Sequence, residues 1–121
     1  MKKTISLLSS LLFSLIVLCL LAQSTNADSL DRRVHIQNNS SYSMTKLHAS
    51  NVRRTGWEED MLGIGILAPG RQINVNIDDG SGYCHYDLKA IFSTGAEIIR
   101  WNVDVCAVKR WSIYNDSNFI D

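Results

Sequence analysis

The alternation between residues 83 and 92 constrains this chain more than any other feature. Cys84, Tyr86, Leu88, Ala90 and Phe92 share one side of a two-residue period, and His85, Asp87 and Lys89 share the other. That period belongs to a β-strand with one face buried and one in water. It recurs along the chain. Val34 and Ile36 face together within 33–37, and Ile73, Val75 and Ile77 within 72–77. Ile99, Trp101, Val103 and Val105 mark a further strand, and Trp111-Ser112-Ile113-Tyr114 the last. Residues 42–50 are expected to return as the second strand of a hairpin, with Tyr42 and Met44 inward. There the phase slips toward Leu47 and Ala49, which predicts a bulge.

Turn chemistry separates these segments. Asn38-Asn39-Ser40-Ser41, Asp78-Asp79-Gly80-Ser81-Gly82 and Ser93-Thr94-Gly95-Ala96 are turn clusters. Ala68-Pro69-Gly70-Arg71 reads as a type II turn, with proline presetting φ and glycine supplying the positive φ that follows. Residues 51–65 break the pattern and read as a long structured loop, with room for a single helical turn around 58–62. Short strands spaced by turns in this way predict an all-β fold: a small antiparallel β-sandwich, immunoglobulin-like or C2-like, with six to seven strands.

Ahead of the strands, Lys2 and Lys3 precede an almost wholly apolar run over 5–22, which closes on small residues at Ala27. This is the pattern of a secretory signal peptide over 1–27, leaving a single secreted β-domain over 28–121. A membrane anchor is the rival reading, but no basic stop-transfer cluster follows the apolar run. Lipid attachment at Cys19 is opposed by the bulky Leu18 before it.

The mature chain would have 121 − 27 = 94 residues and two cysteines, Cys84 and Cys106, in an oxidising compartment. One sits near the start of a strand and the other near the end of the next, so an antiparallel hairpin brings them together. A disulfide closing 106 − 84 = 22 residues is worth roughly 3 kcal/mol in chain entropy. Reduced buried thiols are the alternative, and a metal site lacks the ligand spacing it needs. Removing Lys2 and Lys3 leaves ten basic against 12 acidic residues, a net charge near −2. No nucleic-acid partner is expected from such a balance, and no membrane association after cleavage.

Three runs carry a resemblance. They are Trp57-Glu58-Glu59-Asp60-x-Leu62-Gly63, Leu67-x-Pro69-Gly70, and Ile77-Asp78-Asp79-Gly80-Ser81-Gly82-Tyr83-Cys84-x-Tyr86-Asp87-Leu88-Lys89-Ala90-x-Phe92. Together with Val34-x-Ile36-x-Asn38-Asn39-Ser40 and Ala49-Ser50-Asn51, they resemble a family of small secreted bacterial domains with no established function. The resemblance implies a bacterial exported protein, secreted or periplasmic. It implies no catalytic residues.

Candidate binding residues cluster in the loop regions: Asn51, Trp57, Glu58, Glu59, Asp60, Asp78 and Asp79. Loops at one end of a sandwich can pool carboxylates for calcium, so Glu59, Asp60, Asp78 and Asp79 form the candidate metal set, with ordinary turn chemistry as the plain alternative. No other cofactor is indicated. Trp57 is read either as a binding anchor or, with more weight, as a cap folded onto the core. His35, His48 and His85 read as surface histidines, with a copper or zinc site between His35 and His85 on facing strands as the alternative. Ser81 lacks the strand–elbow–helix setting of a nucleophile. Asn38, Asn39 and Asn115 head Asn-x-Ser patterns that matter only in a eukaryotic secretory route. The expected function is that of an exported, non-enzymatic domain that binds a protein or small ligand. A secreted enzyme inhibitor that inserts Trp57 is the alternative.

Overall fold

The computed structural model describes residues 30–121, so the predicted signal peptide lies outside the described residues. Seven strands follow in chain order: β1 (Arg33–Asn38), β2 (Met44–Asn51), β3 (Gln72–Asn76), β4 (His85–Phe92), β5 (Glu97–Asp104), β6 (Arg110–Ile113) and β7 (Asn118–Ile120). They form two sheets, ordered β3-β1-β6-β7 and β2-β4-β5. No helix occurs among the described residues, and none there is long and apolar enough to cross a membrane.

The two-residue period accounts for the core. Val34 and Ile36 from β1, Leu47 and Ala49 from β2, Tyr86, Leu88, Ala90 and Phe92 from β4, and Trp111 and Ile113 from β6 are buried together between the sheets. The 83–92 alternation is seen as expected, with the odd-numbered residues turned to the outer face. Cys84 and Cys106 are joined, with their Cα atoms 5.3 Å apart. The antiparallel β4–β5 register pairs His85 with Asp104 and carries the two cysteines just past the ladder. At 68–71 the turn closes as predicted, with Arg71 N donating to Ala68 O (3.1 Å) and Gly70 at φ 78°.

Pairing differs from the sequence expectation in several places. β1 and β2 are not a hairpin, because the chain crosses between them from one sheet to the other. β1 pairs antiparallel with β3 and parallel with β6, which makes the four-stranded sheet mixed. Tyr42 and Ile73, expected inward, are exposed. Tyr42 lies in the crossover ahead of β2, where the bulge between Met44 and Lys46 resets the phase. Residues 51–65 form a loop, and in place of the helical turn the sequence allows at 58–62 there are two tight turns, with Gly63 N donating to Asp60 O and Gly65 N to Leu62 O. β7, too short to show a period, was not expected from the pattern.

Arg32, just ahead of β1, and Asn38, read from sequence as a turn residue, are buried structural groups. Arg32 donates to the carbonyls of Tyr83 (2.7 Å) and Gly82 (2.9 Å), tying the start of β1 to the entry of β4.

Candidate functional site

The loop over 51–65 is an edge cover. β2 is an edge strand of the three-stranded sheet, and its open side would otherwise present unpaired backbone groups. The loop folds back along it. Ser50 Oγ donates to Gly56 O (2.9 Å), and His48 Nδ1 meets Glu58 O at 2.7 Å. Leu47 N donates to the Asp60 carboxylate (2.9 Å), and Met61 N donates to Leu47 O (2.7 Å). Met44 and Leu67 then close an isolated bridge. Asp60 thus stands in for a strand carbonyl.

The candidate calcium ligands are therefore spread out rather than gathered. Asp60 is spent on Leu47 N and Leu62 N (3.0 Å), four residues along β2 from Asn51. Asp79 sits at Asn51 instead, accepting from Asn51 Nδ2 (2.7 Å), the Tyr86 hydroxyl (2.7 Å) and Ser81 N (3.0 Å). Burial alone would raise the Asp79 pKa, but the hydrogen bonds from Ser81, Tyr86 and Asn51 outweigh it and hold the carboxylate well below its usual range. Asp78 caps its own turn through Gly80 N (3.0 Å), and Glu58 pairs with Arg54 (2.8 Å). Among the described residues, the one close group of three metal-ligating types is Cys84, Asp104 and Cys106, and its sulfurs are already bonded to each other. The histidines do not meet either. His35 lies on one sheet against Gln72 (2.8 Å), while His85 lies on the other.

Trp57 is the predicted residue whose placement changes the picture. It does not cap the core. Its ring lies on the outer face of the three-stranded sheet, 5.9 Å from the Trp101 ring and tilted 34° to it. Lys89 Nζ sits 4.7 Å from the Trp57 centroid.

Sequence reasoning missed Trp101 because its phase is broken. β5 bulges opposite Asp87, where Tyr86 pairs with Val103 but Leu88 pairs with Arg100. Asn102 takes a left-handed φ of 54°, and its N–H donates to Asp87 Oδ1 (2.9 Å). Ile98 faces the core before the bulge and Val103 after it, so Trp101 is turned out and is 66% exposed. Left-handed backbone is costly for a residue with a Cβ, though asparagine tolerates it better than most. The only sequence signal was an asparagine inside a strand.

Ser50, Arg54, Thr55, Gly56, Trp57, Asp87 and Trp101 surround a pocket of about 170 Å³. A second, more open cleft of about 390 Å³ continues past Trp57, sharing residues 54–57 and adding Arg53 and Glu58. The arrangement offers aromatic faces, a carboxylate, a guanidinium and hydroxyls side by side. No nucleophile–base pair stands among these groups, and Ser81 Oγ accepts from Tyr83 N (3.2 Å) within its turn. Comparison with protein-family models, curated proteins and solved structures finds no match to this chain.

Proposed function

We propose that this chain is an exported, non-enzymatic binding domain of a bacterium, secreted or periplasmic, that engages its ligand through the outer face of the three-stranded sheet. One observation carries the reading: Trp101 is 66% exposed beside Trp57 on a face where Asp87 and Arg54 also open into one pocket. Large exposed aromatics grouped with polar partners are the usual anchors of recognition surfaces. The Cys84–Cys106 disulfide fits an oxidising compartment. The working surface keeps Trp57 and the start of the 51–65 loop. It moves away from Asp60, Asp78 and Asp79, whose carboxylates are occupied in holding backbone and side chains together. Calcium is not part of this reading, for the same reason. An inhibitor that inserts Trp57 into an enzyme cleft would want a projecting ring, whereas this ring is half-buried between Lys89 and Trp101.

The test is retention. The purified oxidised protein and its Trp57→Ala/Trp101→Ala variant are immobilised and exposed to culture medium and cell-envelope extract. Material held by the parent and weakened about tenfold or more in the variant is the expected result. Equal retention by both proteins, or none by either, overturns the reading.

A further inference from the structure

We infer that the Trp57–Trp101 pocket is a saccharide site, taking one neutral sugar ring against Trp101 with its hydroxyls directed to Asp87 and Arg54. The inference rests on the binding role proposed above and names its ligand class.

Charge is the first argument. Arg54 is paired with Glu58 at 2.8 Å, Asp87 is the other charged residue of the lining, and Lys89, outside the lining, brings the opposite charge to the Trp57 ring. A cationic ligand would meet a face of Trp57 already taken by the Lys89 ammonium 4.7 Å away. An anionic ligand would meet Asp87. The balance favours a neutral molecule.

Size and hydrogen bonding are the second. The pocket holds about 170 Å³, below the roughly 300–1,000 Å³ of sites for drug-sized ligands, so it admits a single small ring. Its edge mixes acceptors with donors. Asp87 commits Oδ1 to Asn102 N and has no other hydrogen bond from a described residue, which leaves Oδ2 for a ligand. Arg54 and Thr55 supply donors. A ring carrying hydroxyls around its perimeter uses both kinds, whereas a flat aromatic ligand uses few. The 34° tilt between the two indoles rules out a parallel sandwich but leaves Trp101 as an open platform. C–H-rich faces of a sugar ring pack on such a platform, while its equatorial hydroxyls point sideways into the polar edge.

The third is construction. Asp87 holds Asn102 in its left-handed conformation, and that bulge turns Trp101 outward. One carboxylate therefore both exposes the aromatic platform and lines the pocket beside it. The adjoining cleft across Trp57 gives a path for a second ring of an oligosaccharide.

The experiment is a titration of the oxidised protein with methyl glycosides of glucose, galactose, mannose and N-acetylglucosamine, and with cellobiose. Tryptophan fluorescence and the indole N–H resonances report binding. At least one sugar should saturate with a Kd on the order of 1 mM, as expected for a ligand of about a dozen heavy atoms at ordinary efficiency. Trp101→Ala should weaken it about tenfold or more with an unchanged melting temperature, and Trp101→Phe should keep part of it. Raising salt should leave the affinity of a neutral ligand unmoved. No saturation by any of the five sugars, or equal affinity in Trp101→Ala, overturns the inference. So does saturation by tetramethylammonium or adenosine in place of the sugars. If the sugars fail while the retention of other material still depends on Trp57 and Trp101, the binding role stands and only the ligand class is wrong.

Discussion

Asn38 holds the chain where it passes from one sheet to the other. Its side chain is wholly buried. Nδ2 donates to Tyr42 O (2.8 Å) and Leu67 O (2.9 Å), and Oδ1 accepts from Ser40 N (3.2 Å) and Ser40 Oγ (2.6 Å). Alanine at 38 would strand several of these partners without water, so Asn38→Ala should cost roughly 3 kcal/mol, read as a lower urea midpoint. The same burial closes Asn38 to glycosylation in the folded protein. Asp79 ties a different corner, and its effect depends on pH. Because its folded pKa is depressed, its contribution is present above the unfolded value of about 4 and is lost as pH falls below that. The melting temperature of the parent should therefore fall between about pH 5 and pH 2 more steeply than that of Asp79→Asn. Parallel curves for the two proteins would show that the carboxylate is not the group responsible.

Strands declared themselves through their period, but their partners did not. A two-residue alternation says which side of a strand is buried and nothing about which sheet it joins. That is why β1 and β2 read as a hairpin although a short turn cluster separates two sheets. The 51–65 loop was legible as unusual and illegible as an edge cover, because its contacts to β2 run largely through backbone atoms that carry no residue signature. Asp60 is the exception that can be tested. Asp60→Ala removes the acceptor of Leu47 N at the middle of the β2 edge. It should cost about 1–3 kcal/mol. It should also bring self-association visible in light scattering, since an opened edge recruits other strands. Asp60→Asn keeps an oxygen and should retain most of the stability. A monomeric Asp60→Ala protein of parental stability would show that the loop does not depend on this contact.

At the scale of the molecule, the fold was largely written in the chain and the site was not. The core needed only the alternation, and the disulfide only two cysteines at the open end of a predicted hairpin. The pocket instead takes Ser50 from β2, Asp87 from β4, Trp101 from β5 and Trp57 from the loop, so it exists only once the sheet is assembled around a bulge. The disulfide closes the same two strands, β4 and β5, beyond the end of their ladder, and this separates its role from that of the site. The bulge that exposes Trp101 is held by Asp87, not by the sulfurs. Breaking the bond should thus act on the unfolded chain, which regains the freedom of a 22-residue span, at a cost of roughly 3 kcal/mol. A domain of this size has a total stability of roughly 5–15 kcal/mol, so the reduced protein should still fold at 25 °C. Urea unfolding with and without reductant measures the difference. The midpoint should drop by about 2–3 M, with a somewhat larger m value because the reduced unfolded chain is more expanded. Fluorescence of the folded baseline should stay unchanged, since the Trp57–Trp101 contact does not pass through the cysteines. A midpoint that does not move would mean the unfolded chain keeps β4 and β5 together without the bond. A changed folded baseline would mean that the disulfide shapes the pocket after all.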